Sequence, residues 1–171
     1  MHPVLIVLSM MGVLIVQSTV LQVPPFSFVA PNIVLVMLLF VSLMRGPIFA
    51  LYVGLAIGLI QDILFGTFLG PYAFTYATVG YFAGMTYGTY WTRQLVTAIL
   101  VMLGYTFLAE MMLYGIVRLF GFAHLDLMVA VTHGVRMMIW NGIFALLLYS
   151  PSVRLLGTDR RKVGLADESS L

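Results

Sequence analysis

Small residues and one carboxylate recur at every fourth position of the stretch GLAIGLIQDILFGTFLG, residues 54–70. The repeating positions are Gly54, Gly58, Asp62, Gly66 and Gly70, and the same spacing returns downstream at Gly80 and Gly84. Residues four apart lie on one face of an α-helix. Glycines at this spacing let two helix backbones approach closely, which is how many helices associate inside a lipid bilayer. The stretch therefore predicts packed membrane helices.

Two interpretations of this glycine face follow from the spacing. In the first, which we favour, the glycines pack the third predicted helix against the fourth within the chain. In the second, they form a docking groove for a helix of another protein. The spacing alone does not separate the two, because both need the same close approach of backbones.

The whole chain has the composition of a membrane protein. Of its 171 residues, 62% are hydrophobic and 8% are charged, against roughly 25% charged residues in soluble domains. At roughly 20 residues per span, this length accommodates about six transmembrane helices and no separate soluble domain. We therefore expect an all-α, polytopic membrane protein.

Breaks at proline, glycine and basic residues divide the apolar sequence into six predicted spans. They cover residues 4–21, 26–44, 48–65, 71–90, 95–120 and 127–149. Residues 1–150 thus form one transmembrane domain, and residues 151–171 form a tail, first basic and then acidic, that we expect to be disordered.

Basic residues indicate how the chain crosses the membrane. If the N-terminus is cytoplasmic, the cytoplasmic side carries Arg45, Arg93, Arg154, Arg160, Arg161 and Lys162, and the opposite side carries Arg118. Lys and Arg are enriched in cytoplasmic loops, so this bias predicts that both termini are cytoplasmic. The cluster Arg160, Arg161 and Lys162 is expected to contact anionic lipid. The pI near 9.0 is explained by these topology signals, and we expect no nucleic-acid partner.

Asp62 lies near the outer end of the third span, where its carboxylate opposes the helix dipole. A compensating group is therefore expected beside it. The candidates are Arg118, near the same membrane face, and backbone amides of the turn at residues 66–70. A structural role is favoured over proton transfer.

Three further polar residues, Glu110, His133 and Arg136, lie inside predicted spans. Charged groups there are costly and usually face the bundle interior. At about 1.5 Å per residue, Glu110 and Arg136 both lie about 14 Å from the outer surface. We therefore predict an ion pair between Glu110 and Arg136, with His133 one turn from Arg136 on the same face. The alternative is a proton or substrate path.

Signatures of an enzyme do not occur in the sequence. It contains no Walker loop, no HExxH and no Gly-x-Ser-x-Gly motif. Cysteine is absent, and three histidines without a carboxylate cluster make a poor metal site. We expect a non-enzymatic protein with no cofactor and no metal.

The glycine and aspartate pattern resembles that of MreD, a family of bacterial rod shape-determining proteins. The resemblance rests on residues 54–70, on the continuation Gly80-Tyr-Phe-Ala-Gly84, on Pro31-Asn32 at the second span and on Arg45-Gly46 at its exit. It extends loosely over the whole length, and the positions Gly54, Gly58, Asp62, Gly66 and Gly70 match the family pattern.

This resemblance implies a scaffold of the cell-elongation complex in the bacterial inner membrane. Its direct partner would be the bitopic protein MreC, bound through the glycine face and the short outer loops. MreC would link it indirectly to MreB filaments and to the peptidoglycan-synthesising RodA and its transpeptidase. The resemblance also implies a fold similar to that of the S components of energy-coupling transporters. The alternative function is therefore small-molecule binding, with His124 and Asp126 as candidate polar groups beside Asp62.

Overall fold

The computed structural model describes residues 3–20, 31–66, 68–89, 95–121 and 126–156, and within these ranges the chain forms six α-helices and no strand. The helices are α1 (Pro3–Val20), α2 (Ile33–Arg45), α3 (Pro47–Phe65), α4 (Pro71–Thr89), α5 (Leu95–Leu119) and α6 (Leu127–Leu156). The prediction of an all-α protein is confirmed. Four of the helices, α1, α3, α4 and α5, agree with the predicted spans to within one residue at each end.

Two helix boundaries differ from the prediction. Helix α2 begins at Ile33 rather than at residue 26, because Asn32 caps it by accepting a hydrogen bond from the Leu35 amide at 3.1 Å. Helix α6 continues through Pro151 to Leu156, so the start of the predicted tail is helical. A proline within a helix removes one backbone bond but does not always end it. The rest of the tail, including Arg160, Arg161 and Lys162, lies outside the described residues, as do Arg93 and His124.

Several helices have the length and composition of membrane spans. Within the described residues, three apolar segments are long enough to cross a bilayer, Pro47–Phe65, Ala98–Leu119 and Leu127–Leu148, and Val4–Thr19 and Ile33–Arg45 are shorter apolar helices. The six helices and these apolar segments are those of a helical membrane protein. Helix α2 has 13 residues and is therefore about 20 Å long, shorter than the roughly 30 Å hydrocarbon core.

Helix α2 lies at the centre of the bundle. Every residue from 34 to 42 is buried, as expected for a helix that is apolar on all sides. It contacts α1, α3, α4, α5 and α6, whereas the most extensive pairings are α3 with α4 and α5 with α6. Because α2 is short and central, its N-terminus lies among the other helices, where the backbone amides of its first turn need partners.

Candidate functional site

The glycines of α3 bring its backbone against that of α4. A Cβ atom added to Gly54 would lie 2.5 Å from the carbonyl oxygen of Tyr76. One added to Gly58 would lie 2.5 Å from the Cα atom of Ala73. Both glycines are buried, and the atoms they face belong to the backbone of α4.

The glycines of α4 make the reciprocal contact. A Cβ atom on Gly80 would lie 2.9 Å from the carbonyl oxygen of Ala50, and one on Gly84 would lie 2.5 Å from the Cα atom of Pro47. The contact therefore runs along the whole antiparallel pair of helices. The glycines of each helix thus face the backbone of the other helix, which is the arrangement that the first interpretation predicts. In the structure α4 covers this face, so a helix of another protein would have to displace α4 to reach these glycines.

The two remaining glycines of the motif shape the turn between α3 and α4. Gly66 follows α3, and its amide donates to the Asp62 carbonyl oxygen at 2.9 Å. A Cβ atom on Gly66 would lie 2.5 Å from that same oxygen. Gly70 has a φ of +122°, which favours glycine over every other residue. This turn places the first amides of α4 beside the end of α3.

The side chain of Asp62 caps α4 from the neighbouring helix. Its Oδ2 atom accepts hydrogen bonds from the amides of Gly70 and Ala73, each at 3.0 Å, and its Oδ1 atom accepts one from the amide of Tyr72 at 3.0 Å. The residue is 2% exposed. These amides belong to the first turn of α4, where the helix dipole favours a negative charge. The carboxylate therefore holds together the turn, α3 and α4.

Of the two partners proposed for Asp62, the backbone amides are the ones observed. Arg118 instead donates to the Tyr114 hydroxyl at 2.5 Å, and its guanidinium lies 5.7 Å from the Tyr114 ring centroid. The suggested pairing of Arg118 with Asp62 is wrong. Arg118 is in the last turn of α5 and interacts within that helix.

A second buried cap holds the N-terminus of α2. The Asn32 side chain accepts from Leu35 within the helix, while the Asn32 amide donates to Asn141 Oδ1 of α6 at 2.8 Å. The Val34 amide donates to Gln17 Oε1 of α1 at 3.0 Å. Side chains from two other helices thus satisfy amides that would otherwise be unpaired inside the bundle.

Tyr76 connects the cap of α2 to α4. Asn32 Nδ2 donates to the Tyr76 hydroxyl at 2.8 Å, and that hydroxyl donates back to Asn32 Oδ1 at 3.1 Å. Tyr76 is fully buried, and its carbonyl oxygen faces Gly54. The two caps and the glycine contact therefore form one continuous structural unit across five helices, which we call the cap network (Gln17, Asn32, Asp62, Tyr76 and Asn141).

Glu110 pairs with a different residue from the one predicted. Its Oε2 atom lies 3.7 Å from His133 Nε2, which is within ion-pair range, and the Glu110 side chain is 12% exposed. Arg136 is exposed, and no ion pair joins it to Glu110 among the described residues. The predicted Glu110–Arg136 pair is wrong. Gly134 faces Phe107 and Met111 of α5, and this orientation of α6 turns His133 rather than Arg136 towards Glu110.

Glu110 and His133 also line a cavity of about 320 Å³ between α4, α5 and α6. Its other lining residues are mostly apolar: Tyr72, Leu113, Tyr114, Val117, Val129 and Ala130. One carboxylate and one imidazole are too few ligands for a metal site. Among the residues that the structure describes, no group of three or more His, Cys, Asp or Glu side chains lies together.

We expect the stability of the protein to show coupling between Glu110 and His133. In a double-mutant cycle, Glu110→Gln with His133→Phe should cost roughly 0.6 kcal/mol less than the sum of the single changes, which is the average coupling that such cycles give for polar pairs between membrane helices. Unfolding in mixed detergent micelles measures this. The matched cycle of Glu110→Gln with Arg136→Gln should be additive. Coupling to Arg136 instead of His133 would contradict the observed pairing.

The sequence interpretation missed most of the cap network. Gln17 and Asn141 are neutral polar residues in apolar spans and were not predicted to have a role. Asn32 was noted only as part of the Pro31-Asn32 pair. An asparagine that follows a proline and precedes a long apolar run is an N-cap signal. That signal would have placed the start of α2 at Ile33, whereas nothing local identifies the partners on α1 and α6.

Comparison with known proteins gives one family. Residues 1–158 match the family model described as rod shape-determining protein MreD. The match covers all six helices, including both caps and the glycine contact, and ends just beyond α6. No curated protein and no solved structure is significantly similar to the chain.

Proposed function

The chain belongs to the MreD family of rod shape-determining proteins, and we propose that it acts as a non-enzymatic scaffold of the bacterial cell-elongation complex. Membership of the family assigns it a role in rod-shape determination. The finer proposal is that it binds a bitopic MreC-type protein in the inner membrane. Through that partner it helps to organise lateral peptidoglycan synthesis by RodA and its transpeptidase, next to MreB filaments.

The family match over residues 1–158 is the observation that carries this proposal. The structure supports the proposal through the structural roles of Asp62 and Asn32. Asp62 and Asn32 are buried, with their side-chain oxygens bound to backbone amides. These groups fix the relative positions of the helices, which is what a scaffold requires of a membrane bundle that presents its outer faces to partners.

The proposed orientation places both termini in the cytoplasm. Arg45 is in the last turn of α2, and Arg154 is near the end of α6, so both would face the cytoplasm. Arg118, in the last turn of α5, would face the opposite side. This distribution agrees with the enrichment of basic residues on the cytoplasmic side of membrane proteins.

Capture of the protein from native membranes tests the proposed function. A tagged copy, expressed at its natural level and solubilised in mild detergent, should retain an MreC-type protein together with wall-elongation enzymes, identified by mass spectrometry. A tagged, unrelated six-helix membrane protein serves as the control for non-specific recovery. Recovery of paired ATPases and a coupling subunit would contradict the scaffold and indicate a transporter component instead.

A further inference from the structure

The face of α6 that points away from the bundle carries a charged residue, Arg136. Arg136 is exposed, and none of the described residues forms a hydrogen bond or an ion pair with its guanidinium. Its neighbour His133, half exposed, is directed to Glu110. Charged side chains within membrane helices usually face the interior or a partner because the lipid cannot solvate them. Arg136 therefore needs an anionic group other than those of the described residues.

Arg136 lies deep along the helix. It follows Leu127, the first residue of α6, by nine positions, so its Cα atom is about 14 Å from that end at 1.5 Å per residue. An open groove of about 310 Å³ runs along the same face, lined by Met128, Val129, Thr132, His133 and Arg136 of α6. Helical side chains lean towards the N-terminus, so the guanidinium lies along this groove. That position remains within the hydrocarbon region of a bilayer.

Apolar residues continue this surface along α6. Exposed apolar side chains recur at intervals of three, four or seven positions, which places them on one helix face; they are Met128, Val135, Ile139, Ile143 and Leu146. We call this surface, together with Arg136, the α6 stripe. Only 22% of the apolar segment of α6 is buried, against 39% for α3. The α6 stripe is thus long enough and open enough to pack against one further transmembrane helix.

We propose that the α6 stripe binds the single transmembrane helix of the bitopic partner, with Arg136 pairing to a carboxylate of that helix. The inference rests on the proposed function, which requires such a partner, and it locates the contact. The glycine face is closed by α4, so the partner helix needs a different surface. Between membrane helices apolar contact confers little selectivity, since lipid tails are equally apolar, and a buried charge pair supplies it.

A helix suits Arg136 better than a phospholipid does. The phosphate of a lipid lies at the surface of the hydrocarbon core and would have to be drawn inwards to reach this depth. A carboxylate on a neighbouring helix lies at the required depth without deforming the bilayer. His133 is already paired with Glu110, so Arg136 is the residue of this face that provides the positive charge for recognition.

Two measurements on the full chain, co-expressed with its MreC-type protein, test the location. First, Arg136→Leu should lower the recovered partner about tenfold, which corresponds to the 1–2 kcal/mol of a polar interhelical pair. Arg136→Lys should retain much of the partner because it keeps the charge. The matched control is Arg118→Leu, which makes the same charge change at an exposed residue bonded within α5 and should leave recovery unchanged.

Second, photocrosslinking amino acids at Ile139 and Ile143 should capture the partner helix, whereas the same groups at Tyr52 on α3 and Phe82 on α4, both exposed, should not. Failure of the unmodified chain to retain the partner would contradict the proposed function itself. Three other outcomes would overturn the α6 stripe as the binding surface and leave the proposed function intact. The Arg136→Leu variant could retain as much partner as the unmodified chain, the partner could crosslink only to α3 and α4, or the groups on α6 could crosslink only to phospholipid.

Discussion

Replacing Gly58 with leucine should prevent α3 and α4 from packing, and even alanine should lower the free energy of unfolding by about 3 kcal/mol, the upper end of the cost of overpacking. The added Cβ atom would lie 2.5 Å from Ala73 Cα and 2.6 Å from both the Ala73 nitrogen and the Tyr72 carbonyl oxygen. These are backbone atoms, which cannot move aside as the end of a flexible side chain does.

Displacement of α4 at this point would also disrupt its cap. The amides of Tyr72 and Ala73 are two of the three donors to Asp62, so a shift that relieves the clash lengthens those hydrogen bonds. The cost of the substitution therefore exceeds that of steric contact alone. This coupling explains why a glycine and an aspartate four residues apart occur together in one motif.

Thermal unfolding in detergent, followed by circular dichroism, measures the effect of the Gly58 variants. Gly104→Ala is the matched control, because a Cβ atom at Gly104 would have no neighbour within 4 Å. Alanine is the better helix former, so that change should be neutral or stabilise α5 by up to about 1 kcal/mol. Equal unfolding temperatures for Gly58→Ala and Gly104→Ala would show that α3 and α4 are not in close contact at Gly58.

The sequence was sufficient to predict the helices because a bilayer restricts the solutions so strongly. Apolar runs of about 20 residues, ended by proline, glycine and arginine, can only be spans. The glycine repeat likewise predicted the α3–α4 contact, since a chain of small residues at four-residue spacing has few other uses. Both features depend on local sequence, which is why they were predictable.

Which polar side chains pair with each other was not predictable in the same way. Depth arithmetic placed Glu110 correctly against α6, but His133 and Arg136 are three residues apart and differ by only about 60° around the helix. Which of the two faces Glu110 is decided by the rotation of α6, which depends on Gly134 packing against Phe107 and Met111. Similarly, Asn141 contacts the start of α2 because α2 is short and central, a property of the whole bundle.

Replacing Asp62 with alanine should cost at least about 3 kcal/mol of folding free energy, because it leaves the amides of Gly70, Tyr72 and Ala73 without their acceptor. An unpaired buried donor costs roughly 1–3 kcal/mol, and loss of a helix cap alone about 1 kcal/mol. Asp62→Asn should cost less, about 1–3 kcal/mol, because one amide oxygen still accepts while the new NH₂ group faces donors. Unfolding in mixed micelles should therefore rank wild type above asparagine and asparagine above alanine.

Comparing stability with activity then separates a cap from a proton carrier at Asp62. If the carboxylate only caps α4, the ability of each variant to restore rod shape in depleted cells should follow its folded fraction, and low temperature should rescue Asp62→Asn. Asp126→Asn is the matched control, since that aspartate is exposed and receives hydrogen bonds from α6 on its backbone oxygen. An Asp62→Asn protein that folds as stably as wild type yet fails to restore rod shape would contradict the cap role, because a cap that is dispensable for stability cannot be why the carboxylate is needed.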